Sequence, residues 1–276
     1  MSVAGLGTRL IEAGPPEAAE GVLLVHGNPG SRLDWADLVA RVGTFMRAAA
    51  FDLPGFGQAD KPAGGFDYTV PGYAAFIEAA RAQLGLRRVH LVLHDFGGPF
   101  GLQWAADHLP EVASVTIINA PPVQDYRWYL LAKAWKTPLL GELVQLTLVG
   151  PTFRLIAGRG HPKGLSRAFL DRMYRDYDAG TRRAVLALYR ATDARRMVST
   201  DAATFAAADI PALVLWSTHD VYMATRVAYI HRAAFPSARI VEVPDRGHFL
   251  MAEDPQVVAQ HVVPFLRQHV ARPHGG

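Results

Sequence analysis

Short apolar runs that end abruptly on a polar residue and a turn recur along this chain of 276 residues. They read GVLLVH (21–26), MRAAAFD (46–52), VHLVLH (89–94), VASVTIIN (112–119), PALVLWS (211–217) and ARIVEV (238–243). A run that is apolar at successive positions, not alternate ones, suits a strand buried on both faces. Between several of these runs lie helical patterns, such as YAAFIEAARAQLG (73–85) with Ala74, Ile77, Ala80 and Leu84 on one face, a stretch from about Pro99 to His108, and the final PQVVAQHVVPFLRQHV (255–270). Strand, helix, strand in succession predicts a mostly parallel sheet covered by helices on both sides, an α/β architecture. With 50% hydrophobic residues the chain is long enough to bury one such core.

Between about Val123 and Phe205 the texture changes. Strand runs vanish, and aromatic, arginine-rich amphipathic stretches such as YRWYLLAKAWK and RRAVLALYRATDARRM replace them. The chain therefore divides into an α/β core, 1–122 and 206–276, and an inserted helical cap, 123–205, expected to lie over the sheet as a lid. The formal charge is only +3, and basic pairs such as Arg87-Arg88, Arg182-Arg183 and Arg195-Arg196 are scattered, which describes a solvated surface and not a nucleic-acid stripe. There is no cysteine, which excludes disulfides, iron–sulfur clusters and thiolate metal sites. No run reaches the roughly 18 apolar residues needed to span a bilayer, and the first residues lack a signal pattern, so the expectation is a cytoplasmic protein with no membrane and no nucleic-acid partner.

In open parallel sheets, ligands bind beyond the carboxyl ends of the strands. Those ends carry His26-Gly27-Asn28, Asp52, His94-Asp95-Phe96, Asn119, His219-Asp220 and Gly247-His248. Asp95, Asp220 and His248 follow one another in the order nucleophile, acid, histidine, with Asp95 at a strand-to-helix elbow, LVLHDFGG. An aspartate there changes the chemistry expected of a serine. Its carboxylate is ionised at neutral pH without a base and can attack an sp³ carbon to form an alkyl ester. The histidine is then needed for the second step, in which His248, oriented by Asp220, activates water against that ester. The Phe96 backbone N–H and the Asn28 N–H are expected to steady the resulting anion.

Together HGNPGS, DLPGFGQADKP, LVLHDFGG and DRGHF resemble the haloalkane dehalogenase and epoxide hydrolase branch of the α/β-hydrolases, across nearly the whole chain. The resemblance implies an eight-stranded, mostly parallel sheet, a helical cap between the sixth and seventh strands, no metal, no organic cofactor, and water with a small apolar molecule as the reactants. Leu93 sides with the dehalogenases, which usually carry Val or Ile two places before the aspartate, and Asn28 matches the asparagine that in many of them donates to the departing halide. Phe96 departs from their pattern, which has a tryptophan there as the second halide donor. Trp128 or Trp135 of the cap is the candidate replacement. If the branch point is instead an epoxide hydrolase, Tyr126, Tyr129, Tyr174, Tyr177 and Tyr189 are the candidates to activate the ring oxygen. A lyase or a non-hydrolytic receptor on the same scaffold is the reading from another class. Simpler roles stand beside these: Asp95 as a helix N-cap, Asn28 and Asp52 as turn residues, and Trp35, Trp104 and the cap aromatics as packing.

Overall fold

The structure is a computed structural model that describes residues 1–270. Strands β1 (Ser2–Val3) and β2 (Leu6–Gly7) form a small antiparallel pair. Strands β3 (Leu10–Ala13), β4 (Glu20–Val25), β5 (Arg47–Phe51), β6 (Arg88–His94), β7 (Val112–Ile118), β8 (Ala212–Ser217) and β9 (Arg239–Val243) build one sheet in the order β3-β5-β4-β6-β7-β8-β9. Only β3 runs antiparallel to its neighbour.

The sheet thus has seven strands, not the eight that the resemblance implied. The N-terminal residues turn back on themselves through Ala4 and Gly5, both at positive φ, and pair with each other. Gly7 N–H then donates to Asp60 Oδ2 at 2.7 Å and the Thr8 hydroxyl to the Asp52 carbonyl at 2.6 Å, so the hairpin docks on the loop after β5 instead of extending the sheet.

Helices α1 (Ala36–Val42), α2 (Val70–Leu84) and α3 (Gly97–Asp107) follow β4, β5 and β6 in turn. α2 packs on α3, while α1 packs on the terminal helix 255–269 on the other side of the sheet. The strands between these layers are inaccessible at Val22 to Leu24, Ala48 to Ala50 and Leu91 to Leu93, which explains their unbroken apolar runs. Three of the five residues of β5 are alanine, a poor strand former, and the strand is held extended by β3 and β4 on its two edges. At its start the buried Arg47 guanidinium bonds Glu12 Oε1 at 2.5 Å and the Leu84 carbonyl at 2.7 Å.

Between β7 and β8, the fifth and sixth strands of the sheet, come α4 (Leu130–Lys136), α5 (Leu140–Thr147), α6 (Gly150–Gly158), α7 (Arg167–Asp176), α8 (Ala179–Ala191) and α9 (Ala202–Ala208). Only one isolated bridge, Gln124 with Arg196, interrupts this helical segment among the described residues. It is tied down onto the strand-end loops by polar clasps: Arg172 to Asp34 at 2.6 Å, Lys61 to Asp178 at 2.9 Å, and the Thr181 hydroxyl to the Gly55 carbonyl at 2.9 Å.

The elbow after β6 is closely packed against β4. A Cβ on Gly97 would lie 2.3 Å from the Val25 carbonyl oxygen, a backbone atom that has no room to retreat inside the sheet. Gly97→Ala is therefore expected to destabilise the fold by about 1–3 kcal/mol, read as a lower denaturation midpoint at unchanged slope.

Candidate active site

Asp95 occupies the residue between the end of β6 and the first turn of α3, with φ +49°. A non-glycine residue in that left-handed region costs on the order of 1–3 kcal/mol and persists only where packing enforces it. The enforcement is visible. Gly27 lies so close that a Cβ there would be 2.3 Å from the Asp95 Cβ, and the Asp95 N–H donates to the Asn119 carbonyl at 3.2 Å. The helix N-cap position belongs to Phe96 and receives no side-chain bond, so the Asp95 carboxylate does not serve as a cap.

The carboxylate turns instead toward two groups. Its Oδ1 accepts the Asn28 N–H at 2.7 Å, and its Oδ2 lies 3.6 Å from His248 Nε2. The other ring nitrogen of His248 donates to Asp220 Oδ2 at 2.8 Å. Asp220 is fully shielded and fully bonded: its Oδ2 also accepts the Asn119 side-chain amide at 2.8 Å, and its Oδ1 accepts the N–H groups of Tyr222 and Met223 at 2.8 and 2.9 Å. The neighbouring His219 is half-exposed and lies near Asp245, away from this array.

Electrostatics follow from that geometry. Burial alone would lower the His248 pKa, but Asp220 and Asp95 on its two sides raise it to about 10, so the ring is an imidazolium at neutral pH. Burial pushes the Asp95 carboxyl up, and the positive His248 with the Asn28 N–H more than reverses this, holding it below its ordinary value. Asp220 behaves alike: burial raises it, while His248 and the Met223 and Tyr222 N–H groups bring it below the usual carboxylate range.

A narrow cavity opens from Asp95 and His248, lined further by Asn28, Tyr129, Trp135 and Phe153 and leaving about 40 Å³ to the centre of a water-sized sphere. That suits a few waters or a small molecule. Two donors beside it are unpaired. The Trp135 indole N–H is buried with no acceptor, and the Asn28 side-chain amide is buried with no well-formed hydrogen bond, its neighbour being the Tyr189 hydroxyl.

The other predicted residues divide sharply. Tyr129, Trp135 and Tyr177 line the cavity, but Tyr126, Trp128, Tyr174 and Tyr189 do not. Trp128 stacks on Phe96 at 5.9 Å under the Lys136 ammonium, so it stands behind the cavity wall. Tyr174 packs on Phe153 at 5.4 Å, and Tyr126 is turned edge-on to Trp128. Phe96 itself is buried among Phe100, Trp128 and Tyr189. The tyrosine hydroxyls are largely committed: Tyr177 donates to Gln145 Oε1 at 3.0 Å, and Tyr129 shares one bond of 2.7 Å with Tyr189. Asp52 is a turn acid, as its sequence setting indicates, accepting the N–H groups of Arg32 and Gln58 and the Arg32 guanidinium.

Three residues at this site take roles that the sequence did not assign, although it placed His94 and Asn119 at strand ends. Asn119 clamps Asp220 from the neighbouring strand end, its Oδ1 also accepting the Ser217 N–H at 3.2 Å. Tyr222 sets its ring edge-on to His248 at 4.9 Å, and His94 packs at 4.7 Å on the other side, bonding the His248 carbonyl at 3.0 Å. Burial lowers the His94 pKa to about 3, so it is a neutral neighbour of the charged ring. Only Tyr222 had a local signal, two places after an aspartate that turns back on its own backbone.

A family model of the alpha/beta hydrolase fold matches residues 21–255. The chain belongs to that family. Cis-3-alkyl-4-alkyloxetan-2-one decarboxylase of Xanthomonas campestris is 25% identical over 96% of this chain and 94% of that protein. Haloalkane dehalogenase 2 of Mycobacterium tuberculosis is 26% identical over 91% of this chain and 87% of that protein. Among solved structures, the epoxide hydrolase CorEH superposes with a TM-score of 0.81 over 97% of each chain at 18% identity, which is likeness of fold. This α/β-hydrolase is an enzyme, similar in sequence to haloalkane dehalogenases.

The charged array makes the hydrolase sensitive to alkali. His248 binds its proton more tightly when folded than the free side chain does, so the stabilisation is complete below the unfolded value of 6.5 and is lost as pH rises toward about 10. Melting temperature should therefore fall more steeply from neutral to alkaline pH in the wild type than in His248→Gln. Parallel curves for the two proteins would mean the ring is neutral in the fold.

Proposed function

We propose that the enzyme transfers an alkyl group from a small apolar electrophile to Asp95, expels an anionic leaving group, and hydrolyses the resulting ester, as a haloalkane dehalogenase does. The observation that carries this reading is the meeting, on one cavity, of an ionised carboxylate beside His248 with the buried Trp135 N–H, which has no acceptor, and the Asn28 amide, which has only the Tyr189 hydroxyl near it. Buried unpaired donors are expensive unless something occupies them in the working cycle.

In the first step Asp95 Oδ2 attacks the sp³ carbon, a carbon–oxygen bond forms, and the bond to the leaving group breaks with its electron pair. The departing anion takes the Asn28 amide and the Trp135 indole as donors, so Trp135 substitutes for the indole that residue 96 lacks. Esterification removes one of the two negative charges that raise the His248 pKa. The ring then releases its proton to solvent and becomes a base. It takes a proton from water as the water oxygen attacks the Asp95 carbonyl carbon. The oxygen that becomes anionic is Oδ1, already held by the Asn28 N–H, with the Phe96 N–H as its intended second donor. Collapse frees the alcohol and restores the carboxylate. The inserted segment 123–205 acts as the cap that closes this chemistry off from bulk water.

Epoxide opening is the weaker alternative: the hydroxyls of Tyr177 and Tyr222 already donate to Gln145 and the Ile156 carbonyl, which leaves the Tyr129 and Tyr189 pair, sharing one bond, with a single proton for the ring oxygen. A second reading has a specific point in its favour: the Xanthomonas campestris relative is named a decarboxylase of an oxetan-2-one, a four-membered lactone. Attack of Asp95 on the ring's sp³ carbon would expel a carboxylate into the same donors. Loss of that carboxylate as carbon dioxide would form the double bond and return the electron pair to Asp95, with no water needed.

The two readings separate in His248→Gln. On an alkyl bromide the variant should release one equivalent of bromide and stop, with the alkyl adduct found by mass spectrometry on Asp95. On a lactone that fragments, it should keep turning over and yield alkene. A variant that releases bromide continuously removes the hydrolytic role of His248, and Asp95→Ala at wild-type rate removes the mechanism. Trp135→Phe deletes one donor to the leaving anion, a charge-assisted bond worth roughly 1.5–3 kcal/mol, so bromide release should slow about ten- to a hundredfold. An unchanged rate would show that the indole does not meet the leaving group.

A further inference from the structure

The helices that wall the cavity are apolar on their outer side too. Among the described residues, seven of the ten exposed large hydrophobics lie in the single span 130–155. Leu139, Leu143 and Leu146, exposed by 83%, 59% and 75%, stand at the spacing that aligns side chains along one side of α5, and Val149 follows them at 51%. Leu130 on α4 and Leu155 on α6 are exposed by 84% and 73%. On the inner side of the same helices Trp135, Phe153 and Ile156 line the cavity. A helical layer that is apolar on both faces is built to be covered on both.

The turn that starts α5 adds an independent sign. Leu139 has φ +67°, a conformation that a bulky residue adopts at a cost, and its side chain points to solvent. Its backbone is held by its own N–H on the Glu142 carboxylate and by the Leu143 N–H on its carbonyl at 3.0 Å, which fixes the leucine side chain in its uncovered position.

Charge says what covers it. From residue 127 to 159 there are five cations, Arg127, Lys133, Lys136, Arg154 and Arg159, and one acid. That acid, Glu142, is neutralised by a two-pronged pair with Arg190 at 2.8 and 2.9 Å. Arg154 is paired with Asp171 at 2.7 Å and Lys136 is bonded to the Tyr189 and Thr192 carbonyls, while Arg127, Lys133 and Arg159 are exposed, the first two beside a groove that also holds Asp125 and Asp193. A second copy of the chain docking by a twofold axis would press these like charges toward one another. An anionic lipid surface would attract them while accepting the leucines. No helix among the described residues is long and apolar enough to cross a membrane, so the contact is peripheral.

We propose that the outer face of α5, with its flanks on α4 and α6, docks the enzyme on an anionic lipid bilayer, setting the cavity wall against the phase in which an apolar substrate dissolves. The docking does not depend on which leaving group Asp95 displaces.

The test is co-sedimentation of the full-length protein with mixed phosphatidylcholine and phosphatidylglycerol vesicles, against vesicles of pure phosphatidylcholine. The wild type should bind the anionic vesicles preferentially and lose binding as salt is raised. Leu143→Ser combined with Leu146→Ser should weaken binding about tenfold or more while the melting temperature and turnover of a water-soluble substrate stay unchanged. Lys133→Glu with Arg159→Glu should erase the preference for anionic lipid. Absence of binding, or binding that ignores the leucine pair, overturns the proposal. So does a solution dimer that the leucine pair dissolves, since the face would then be an interface between copies.

Discussion

One imidazole ring between two buried carboxylates is the constraint around which this molecule is organised. Each of the three groups is costly to bury as an isolated ion, and each is made tolerable by the others: His248 donates to Asp220 at 2.8 Å and faces Asp95 at 3.6 Å. The surplus negative charge is taken up by the N–H groups of Asn28, Tyr222 and Met223 and by the Asn119 amide. None of this works at a loose tolerance. The elbow at Asp95, the close approach of Gly27 and the turn after β8 are all fitted to it, and the parallel sheet is the device that brings three distant strand ends to one edge.

If the reaction takes the two steps proposed above, the same array divides their labour. While Asp95 is ionised, its charge keeps the ring protonated and unable to act as a base, and the carboxylate needs none. Once Asp95 is esterified that hold is released. Nucleophile and base are thus coupled through one pKa, and the order of events is written into the charge balance rather than into any movement of the chain. In that proposal the leaving group meets other donors, which come from the β4 loop and from α4.

The helical segment over the site has two contrasting roles in its physical make-up. Its base is fixed to the core by ion pairs such as Arg172 with Asp34, and its roof is greasy on both surfaces. The roof helices are themselves held to α8, by Lys136 on the Tyr189 and Thr192 carbonyls and by Arg190 on Glu142.

The core strands, the elbow with its aspartate and the order of Asp95, Asp220 and His248 were legible in the sequence, because each is a local signal. A strand buried on both faces must be apolar at every position, a strand-to-helix elbow must be glycine-rich, and strand ends must carry the chemistry. What the tertiary structure alone decided was adjacency. Asn119 and Asp220 are 101 residues apart and meet only because β7 and β8 are neighbours in the sheet. Trp135 faces the cavity while Trp128 stacks behind Phe96, though both belong to one aromatic stretch, since the choice depends on how α4 lies over α3 and α8. The eighth strand was lost for the same reason: whether Ser2 to Gly7 joins the sheet or pairs with itself turns on contacts to Asp52 and Asp60, far along the chain. Propensity and pattern act over a few residues, whereas packing compares surfaces that the chain order keeps apart.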